Sequence, residues 1–284
     1  MSPARALRIP TPTGEARIDA LRTLLEIVDR LRAADGCPWD LKQTLSSVSP
    51  HLIEESHELL EAIETAPAGE DTHVVEEAGD LLMGVVLLAR IAQDERRFDL
   101  ARVAESVCEK LLRRHPHVFG EGHAADAAAA LSNWEAIKRG ERAEKAIDTS
   151  ALAGAPVAMP ALQRAKRLGE KAMSAGFRWA DARGALEKLR EELEELEAAF
   201  EAAAAQGADA AAREHLEHEL GDVLLASAFL GNYVDLDPER AARLALRRFE
   251  ARFRSMEQGL ARPLSQCSLD QMMAAWEKAK SVVG

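Results

Sequence analysis

Four short motifs occur in the same order in each half of this 284-residue sequence. The pairs are Trp39 with Trp179, EESHE at 54–58 with EELEE at 191–195, EAGD at 77–80 with ELGD at 219–222, and WEAIK at 134–138 with WEKAK at 276–280. Partners lie 140, 137, 142 and 142 residues apart, so a tandem duplication with small changes in loop length explains them better than chance. The sequence therefore predicts two copies of one module.

Apolar residues recur at helical spacing through most of the chain, without the sustained polar and apolar alternation that indicates strands. Hydrophobic residues make up 47% of the sequence and aromatic residues only 4%, so the core must be largely aliphatic. We predict an all-α fold of two helical-bundle modules at 15–138 and 161–284. The linker predicted between them, at 139–160, contains Gly154, Pro156 and Pro160.

Capping residues and prolines predict several helix ends. Ser49 and Pro50 predict the start of one helix in the first half, because serine is a common N-cap and proline suits the first turn. Asp99 predicts the start of another helix, which ends before Pro116. The alanine-rich tract around Gly207 predicts a helix end followed by a loop.

Charge and cysteine usage exclude several classes of protein. The net charge of −12 disfavours binding to nucleic-acid phosphates, so we expect no nucleic acid as a partner. The three cysteines lie far apart and form no Cys-x-x-Cys pair, which fits a reducing cytoplasm. No run of 18 uncharged apolar residues is present, and the first residues lack the apolar segment of a signal peptide. The sequence therefore predicts a cytoplasmic protein with no membrane partner.

Carboxylates crowd one face of two successive predicted helices. Glu54, Glu55 and Glu58 lie at i, i+1 and i+4, while Glu77 and Asp80 lie at i and i+3 ahead of a strongly apolar run. Like charges at this spacing are unfavourable, and more so on a buried face. A hard divalent cation such as Mg²⁺ or Mn²⁺ would offset them, because these ions prefer carboxylate and water oxygens.

The second half repeats this pattern, although 187–201 is so rich in glutamate that a solvated face explains EELEE equally well. Gly79 and Gly221 each precede an aspartate inside a predicted helix, where glycine costs about 1 kcal/mol relative to alanine. Their presence predicts close approach by a neighbouring helix or by a ligand.

The combination of GCPWD at 36–40, the EExxE and ExxD acids, KLLRRHPHVF at 110–119 and WExxK resembles the MazG family of nucleoside triphosphate pyrophosphohydrolases. The resemblance is to the two-module form and runs from about Ile18 to Lys280. It implies an all-α fold, dimerisation that builds or completes the sites, Mg²⁺ held by the acids, and hydrolysis of nucleoside triphosphates to monophosphates and pyrophosphate.

Matching the family motifs residue by residue implies roles for particular side chains. The implied metal ligands are Glu55, Glu58, Glu77 and Asp80 in the first module and Glu192, Glu195, Glu219 and Asp222 in the second. Glu54 and Glu191 are implied either as further ligands or as the groups that orient water. The candidate substrate-binding residues are Trp39, Lys110, Arg113, Arg114 and Lys138 in the first module and Trp179, Arg248, Arg252, Trp276 and Lys280 in the second.

The chemistry of these residues agrees with the implied reaction. Lys110, Arg113 and Arg114 lie at i, i+3 and i+4 on one predicted helix, which suits a phosphate clamp. Trp39 and Trp179 could stack on a base, although tryptophan is as often a core anchor. The second module departs from the family pattern, since RFEAR at 248–252 replaces KFxRR. We therefore expect the first module to carry at least part of the activity.

Two other interpretations stay open. A di-iron carboxylate bundle requires two Glu-x-x-His motifs, and the sequence has these at 54–57 and 70–73 but none matching in the second module. A non-catalytic helical scaffold that serves dimerisation would leave the acids as a solvated surface. The sequence assigns no role to His51, His57, His215 and His218.

Overall fold

A computed structural model describes residues 12–144, 148–206 and 209–283. Helices form all of the regular secondary structure in these ranges, and no strand occurs within them. The predicted all-α fold is confirmed. Gly207 lies outside the described residues, so the loop predicted around it stays a prediction.

The chain divides into two compact units with the boundary between Lys138 and Arg139. The helices of unit 1 are α1 (Ala16–Leu31), α2 (Pro38–Lys42), α3 (Leu45–Thr65), α4 (Thr72–Asp94), α5 (Leu100–Arg114), α6 (Pro116–Phe119) and most of α7 (Ala127–Glu144), which crosses the boundary. The helices of unit 2 are α8 (Ala161–Ser174), α9 (Ala182–Gln206), α10 (Ala210–Gly231), α11 (Pro238–Gly259) and α12 (Leu269–Val283). A 3₁₀ turn at Leu264–Gln266 precedes α12.

The long helices follow the same order in both units, which confirms the predicted tandem architecture. By the offsets of the repeated motifs, α1, α3, α4, α5 and α7 correspond to α8, α9, α10, α11 and α12. The limits predicted for the modules and the linker stay a prediction. Helix α7 itself extends to Glu144, six residues beyond the predicted end of the first module.

The core of unit 1 lies where α1, α3 and α4 meet. Val28 of α1, Val48 of α3 and three residues of α4, Val86, Leu87 and Ile91, are almost fully buried together. The apolar run of α4 supplies most of this cluster, and each such side chain contributes roughly 1.5–3 kcal/mol when buried. This packing holds α3 alongside α4, the pair of helices that carries the first set of acids.

Helix α3 begins five residues earlier than predicted. Thr44 caps it, since its side chain accepts a hydrogen bond from the Ser47 backbone N–H while the Ser47 hydroxyl accepts one from the Thr44 N–H. Pro50 therefore lies inside the helix, and the prediction that it opens α3 is wrong. The Ser49 hydroxyl donates to the Ser46 carbonyl at 3.0 Å, which satisfies the acceptor that the proline leaves without its usual N–H.

Unit 2 is built around the helices α9 and α10. Helix α9 packs along α10, α10 also contacts α8, and α11 pairs with α12. Its buried residues are mostly alanines: Ala165, Ala185, Ala199, Ala226, Ala228 and Ala279. Small side chains let helix backbones approach closely, and they place α9 and α10 side by side as α3 and α4 are placed in unit 1. No helix in the described ranges has the length and apolarity needed to cross a bilayer.

Candidate metal centre and its surroundings

Three carboxylates meet at equivalent positions in each unit. Acid cluster 1 consists of Glu55 on α3 with Glu77 and Asp80 on α4. Acid cluster 2 consists of Glu192 on α9 with Glu219 and Asp222 on α10. In each cluster, one oxygen from every carboxylate lies within 4.8 Å of the others. The structure thus brings together six of the eight acids that the sequence singled out as metal ligands.

Burial and mutual repulsion make these clusters strongly attractive to cations. Glu77, Glu192 and Glu219 are only 8–9% exposed. Burial raises the pKa of Glu55, and the nearby carboxylates of Asp80, Glu58 and Glu77 raise it further. A bound cation would relieve both effects, because it neutralises the carboxylates and replaces the water they have lost.

The remaining predicted acids lie at the edge of the clusters. Glu58 and Glu195 are exposed and do not belong to either group of three. A hydrogen bond with Glu192 raises the pKa of Glu195, so this side chain is a direct neighbour of acid cluster 2. Glu54 and Glu191, proposed as ligands or water-orienting groups, are also exposed.

A lysine that the sequence analysis missed contacts acid cluster 2. Lys188 Nζ lies 2.7 Å from Glu191 Oε1 and 2.9 Å from Glu192 Oε1, and these hydrogen bonds raise the pKa of the lysine. The equivalent position of unit 1 holds His51, whose Nδ1 lies 3.6 Å from Glu54 Oε2. The spacing of four residues from Lys188 to Glu192 was the available sequence signal.

Histidines contact the acids of both clusters from one turn earlier on the same helix. His73 Nδ1 lies 3.2 Å from Glu77 Oε1, and His215 Nδ1 lies 3.4 Å from Glu219 Oε1. In unit 2, His218 Nε2 also lies 3.2 Å from Asp222 Oδ2. His73 forms a further group of possible ligands with Glu76 and Glu77.

Two of the predicted substrate-binding residues of unit 1 meet at a tryptophan. The Arg114 guanidinium lies 5.1 Å from the centre of the Trp134 ring, and Lys138 Nζ lies 4.6 Å from it. Both are within the range of cation–π attraction. Trp134 was not predicted as a site residue, although its WExxK motif was the signal. Lys110 and Arg113 are exposed on α5.

The corresponding region of unit 2 is aromatic. The Trp276 ring lies 5.4 Å from Phe249, which in turn lies 5.9 Å from Phe253. Lys280 Nζ lies 2.6 Å from Glu277 Oε1, matching the pair of Lys138 with Glu135 at 3.7 Å in unit 1. Arg248 is exposed and Arg252 is half-buried on α11.

The two candidate base-stacking tryptophans differ in environment. Trp39 is 54% exposed and its ring lies 6.0 Å from that of His51. Trp179 is half-buried against Phe229 and Tyr233, with ring centres 6.4 and 6.0 Å away. It lines a narrow, mostly apolar cavity between α8 and α10. The other residues that line this cavity are Gly169, Ala172, Met173, Phe177, Phe229, Asn232 and Tyr233.

The glycines beside the acids face open space. A Cβ placed on Gly79 or Gly221 would meet no described atom within 4 Å outside its own helix backbone. The prediction of close approach by a neighbouring helix is therefore wrong for the described part of the chain. Approach by a ligand stays a prediction.

Comparison with known proteins identifies the family. Residues 43–119 match the family described as the MazG nucleotide pyrophosphohydrolase domain. The chain is 38% identical to the nucleoside triphosphate pyrophosphohydrolase/pyrophosphatase MazG of Thermotoga maritima over 260 residues, covering 90% of this chain and 94% of the relative. It is also 38% identical to the nucleoside triphosphate pyrophosphohydrolase of Escherichia coli K12 over 262 residues, covering 90% and 95%. The chain belongs to the MazG family.

The MazG match accounts for the first of the two acid sites directly. Residues 43–119 contain Glu55, Glu77 and Asp80 together with the KLLRR segment. Acid cluster 2 lies outside that range but inside the long alignments with the T. maritima and E. coli relatives, which cover 90% of this chain. The resemblance inferred from the motifs is thereby confirmed.

Proposed function

We propose that this protein is a nucleoside triphosphate pyrophosphohydrolase that converts NTP and water to NMP and pyrophosphate, in nucleotide-pool housekeeping. The relatives of T. maritima and E. coli are named for pyrophosphohydrolase activity, and the alignments cover nearly their whole lengths. The observation that carries the proposal is the pair of acid clusters at equivalent positions of the two units.

Mg²⁺ is the proposed cofactor, and Mn²⁺ is the expected substitute. Each cluster presents carboxylate oxygens within 4.8 Å of one another, and hard divalent cations prefer oxygen ligands. Glu58 and Glu195, at the edges of the clusters, complete the proposed ligand sets. When bound, the ion neutralises the triphosphate and polarises the phosphate that is attacked.

Water is proposed to be oriented by Glu54 in unit 1 and by Glu191 in unit 2. Both carboxylates are exposed, and each directly precedes a cluster glutamate on its helix. A carboxylate in this place can accept a hydrogen bond from water and direct the water oxygen toward the α-phosphate. In unit 2 the water competes with Lys188, which contacts Glu191 at 2.7 Å.

Basic residues are proposed to bind the leaving pyrophosphate. In unit 1 the candidates are Lys110, Arg113, Arg114 and Lys138, of which Arg114 and Lys138 already meet at Trp134. In unit 2 the candidates are Arg248, Arg252 and Lys280, with Trp276 beside them. Positive charge at this place stabilises the transition state, because negative charge accumulates on the leaving group.

Trp39 and Trp179 are the proposed stacking partners of the base. Trp39 offers an exposed ring face, whereas Trp179 contributes to the wall of the cavity between α8 and α10. Stacking on either ring is compatible with all bases, so base and sugar preference depends on the shape of the surroundings. A screen of ribo- and deoxynucleoside triphosphates would measure this preference.

A homodimer is proposed as the working assembly. Val75 and Leu82 are 68% and 42% exposed on the same face of α4 as Gly79, beside acid cluster 1. In unit 2, Leu220 and Leu224 are 50% and 51% exposed around Gly221. A second copy packing on these faces would cover apolar surface next to the acids, which supports assembly at the site. Light scattering of the purified protein tests this directly.

The other two interpretations find less support. The names of the relatives describe hydrolases. His73 does belong to a described group of possible ligands with Glu76 and Glu77, but His57 belongs to none, and the second module has no Glu-x-x-His motif. A colourless purified protein without iron would remove the di-iron alternative. The predictions that the protein is cytoplasmic and binds no nucleic acid stay predictions.

The products of a single turnover test the proposal. Ion-exchange analysis of the reaction mixture should show NMP and pyrophosphate with Mg²⁺ present and no product in excess EDTA. The matched control is the double variant Glu77→Gln, Glu219→Gln, which neutralises one buried acid in each cluster at nearly constant volume. NDP as the first product, or full turnover in EDTA, would contradict the proposal.

A further inference from the structure

In each acid cluster, the glutamate on α4 or α10 is buried and has a histidine one turn before it. His73 and His215 are separated by 142 residues, the same offset that relates Glu77 to Glu219. The imidazole Nδ1 lies 3.2 Å from Glu77 Oε1 in unit 1 and 3.4 Å from Glu219 Oε1 in unit 2. The pair therefore occurs twice, with the same atoms in contact.

We propose that His73 and His215 are positioning residues for the metal centre: each holds one oxygen of the buried glutamate so that the other oxygen faces the metal. This inference rests on the proposed metal site. Glu77 and Glu219 are each 9% exposed, so neither carboxylate can rely on bulk water to fix its orientation. A hydrogen-bond donor on the second oxygen is the usual way to orient a ligating carboxylate.

Imidazole suits this task because a ring N–H can donate to one carboxylate oxygen. The sequence has no lysine or arginine between Lys42 and Arg90, so α3 and most of α4 carry no basic side chain that could orient Glu77. The geometry of the repeated contact, rather than the charge of the ring, is what supports the positioning role.

Direct ligation by the histidine is the competing role. In unit 1, His73, Glu76 and Glu77 offer three ligand atoms within 4.8 Å of one another. In unit 2 the position equivalent to Glu76 holds His218, so the same combination of one histidine and two glutamates does not recur there. The contact between histidine and glutamate is what the two units share, and positioning is the role that both contacts can perform.

Mn²⁺ binding by the full-length chain tests the proposal without relying on turnover. Free Mn²⁺ is measured by electron paramagnetic resonance, with Glu219→Gln or Glu77→Gln present to silence one cluster at a time. In the remaining cluster, His73→Leu or His215→Leu should weaken Mn²⁺ binding about 10- to 100-fold. His73→Gln and His215→Gln, which keep an N–H donor of similar reach, should recover most of that loss.

The control is His57→Leu, which changes an exposed histidine on α3 outside both clusters and should leave Mn²⁺ binding unchanged. Circular dichroism and thermal unfolding of the metal-free variants check the fold. Wild-type affinity in the leucine variants, or no recovery in the glutamine variants, overturns the positioning role alone. If a leucine variant binds one Mn²⁺ ion fewer per chain, the positioning role is also overturned, and direct coordination of the metal by the histidine is favoured. Absence of Mn²⁺ binding by the wild type overturns the proposed metal site and this inference with it.

Discussion

The two units place the same three carboxylates together but surround them differently. In unit 1, an ion-pair network joins the end of α1 to the end of α4. Arg32 donates to Asp94 at 2.8 Å, and Arg90 pairs with the same aspartate. Arg90 Nε also lies 2.6 Å from Asp29 Oδ1. The offsets of the repeats place Gly169, Ala172, Asn232 and Leu236 at the corresponding positions of unit 2. An ion-pair network in one unit thus corresponds to a cavity in the other.

This difference separates what the shared architecture requires from what each unit can vary. The acids and the histidines before them recur in both units, whereas the residues of the ion-pair network in unit 1 do not recur in unit 2. In unit 2, uncharged hydrogen bonds hold the walls of the cavity. Asn232 Nδ2 donates to the Lys166 carbonyl at 3.2 Å, and the backbone N–H of Trp179 donates to the Tyr233 hydroxyl at 2.7 Å. The acid cluster is therefore the common element, and the surroundings are where the units differ.

The charge balance of the clusters also differs. Lys188 contacts Glu192 directly in unit 2, whereas His51 in unit 1 contacts only the exposed Glu54 among the described ion pairs. Acid cluster 2 therefore carries a lysine counter-charge, and no lysine or arginine pairs with acid cluster 1 among the described ion pairs.

The largest effect should come from removing one buried acid from each cluster. The double variant Glu77→Gln, Glu219→Gln should lower turnover at least about 100-fold, because preorganised electrostatic stabilisation of the transition state is lost in both units. The two single variants then divide the activity between the units, and we expect Glu77→Gln to lower it measurably. If Glu219→Gln alone abolishes turnover and Glu77→Gln leaves it unchanged, unit 2 would be the sole catalyst, and the prediction that unit 1 carries part of the activity would be wrong.

Asp94→Asn should weaken unit 1 and leave unit 2 unaffected. It leaves the Arg32 guanidinium, whose side chain is 6% exposed, without its carboxylate, at a cost of about 2 kcal/mol. Calorimetry should show one of two unfolding transitions moving to lower temperature. Leu236→Asn is the matched control at the corresponding position of unit 2, and an equal shift there would contradict the assignment.

The same aspartate gives the wild type a pH dependence of known sign. Burial acts to raise the pKa of Asp94, but hydrogen bonds from Arg32 and Arg90 outweigh it and leave the pKa below the ordinary value of 3.8. A carboxylate with a lowered pKa stabilises the folded state above its unfolded pKa, and this contribution is lost as the pH falls through the folded value. The stability difference between the wild type and Asp94→Asn should therefore shrink below about pH 3.8.

Lys188→Met should tighten Mn²⁺ binding by acid cluster 2 about tenfold. A unit charge several ångströms from a divalent ion opposes its binding by about 1–2 kcal/mol even at high effective dielectric. Binding is measured in the Glu77→Gln background, so that the Mn²⁺ affinity reflects acid cluster 2 alone. His51→Met in the Glu219→Gln background is the control and should change little. If Lys188→Met leaves the Mn²⁺ affinity unchanged, the charge of Lys188 does not make acid cluster 2 differ from acid cluster 1 in metal binding.

The smallest effect is expected at the glycines next to the acids. A Cβ at Gly79 or Gly221 meets no described atom within 4 Å outside its own helix backbone, so Gly79→Ala and Gly221→Ala should each stabilise the single chain by up to about 1 kcal/mol. Chemical denaturation at low protein concentration measures this gain. A loss of stability or of substrate affinity in either variant would mean that a ligand or a second copy approaches that glycine.

Sequence reasoning succeeded for properties that depend on one helix at a time. Helical periodicity gave the fold class, and the Asp99 cap gave the start of α5, where its side chain accepts from the Arg102 N–H at 2.9 Å. The acid face of α4 followed from the spacing of Glu77 and Asp80. Each of these follows from local geometry that a helix imposes on its own residues.

Relations between helices were less accessible. The pattern of α3 places Glu55 and Glu58 on one face, but it does not say how α3 is rotated against α4, so it could not predict that only Glu55 joins the cluster. The contact of Arg114 with Trp134 depends on how the chain returns between α5 and α7, which no periodicity describes. The contact of Lys138 with Trp134 joins positions i and i+4 of α7, a spacing that helical periodicity does describe. Pro50 was misread because the Ser49 hydroxyl compensates locally for the missing N–H.

The stacking of two cations on Trp134 has a practical consequence, since it makes one ring of unit 1 a natural optical reporter. Indole emission responds to the charges around the ring, and Arg114 and Lys138 lie 5.1 and 4.6 Å from its centre. A triphosphate that draws these cations away changes the emission of Trp134 before any bond is broken. With Trp39, Trp179 and Trp276 replaced by phenylalanine, the emission of Trp134 would report the proposed nucleotide binding to unit 1 without an added label.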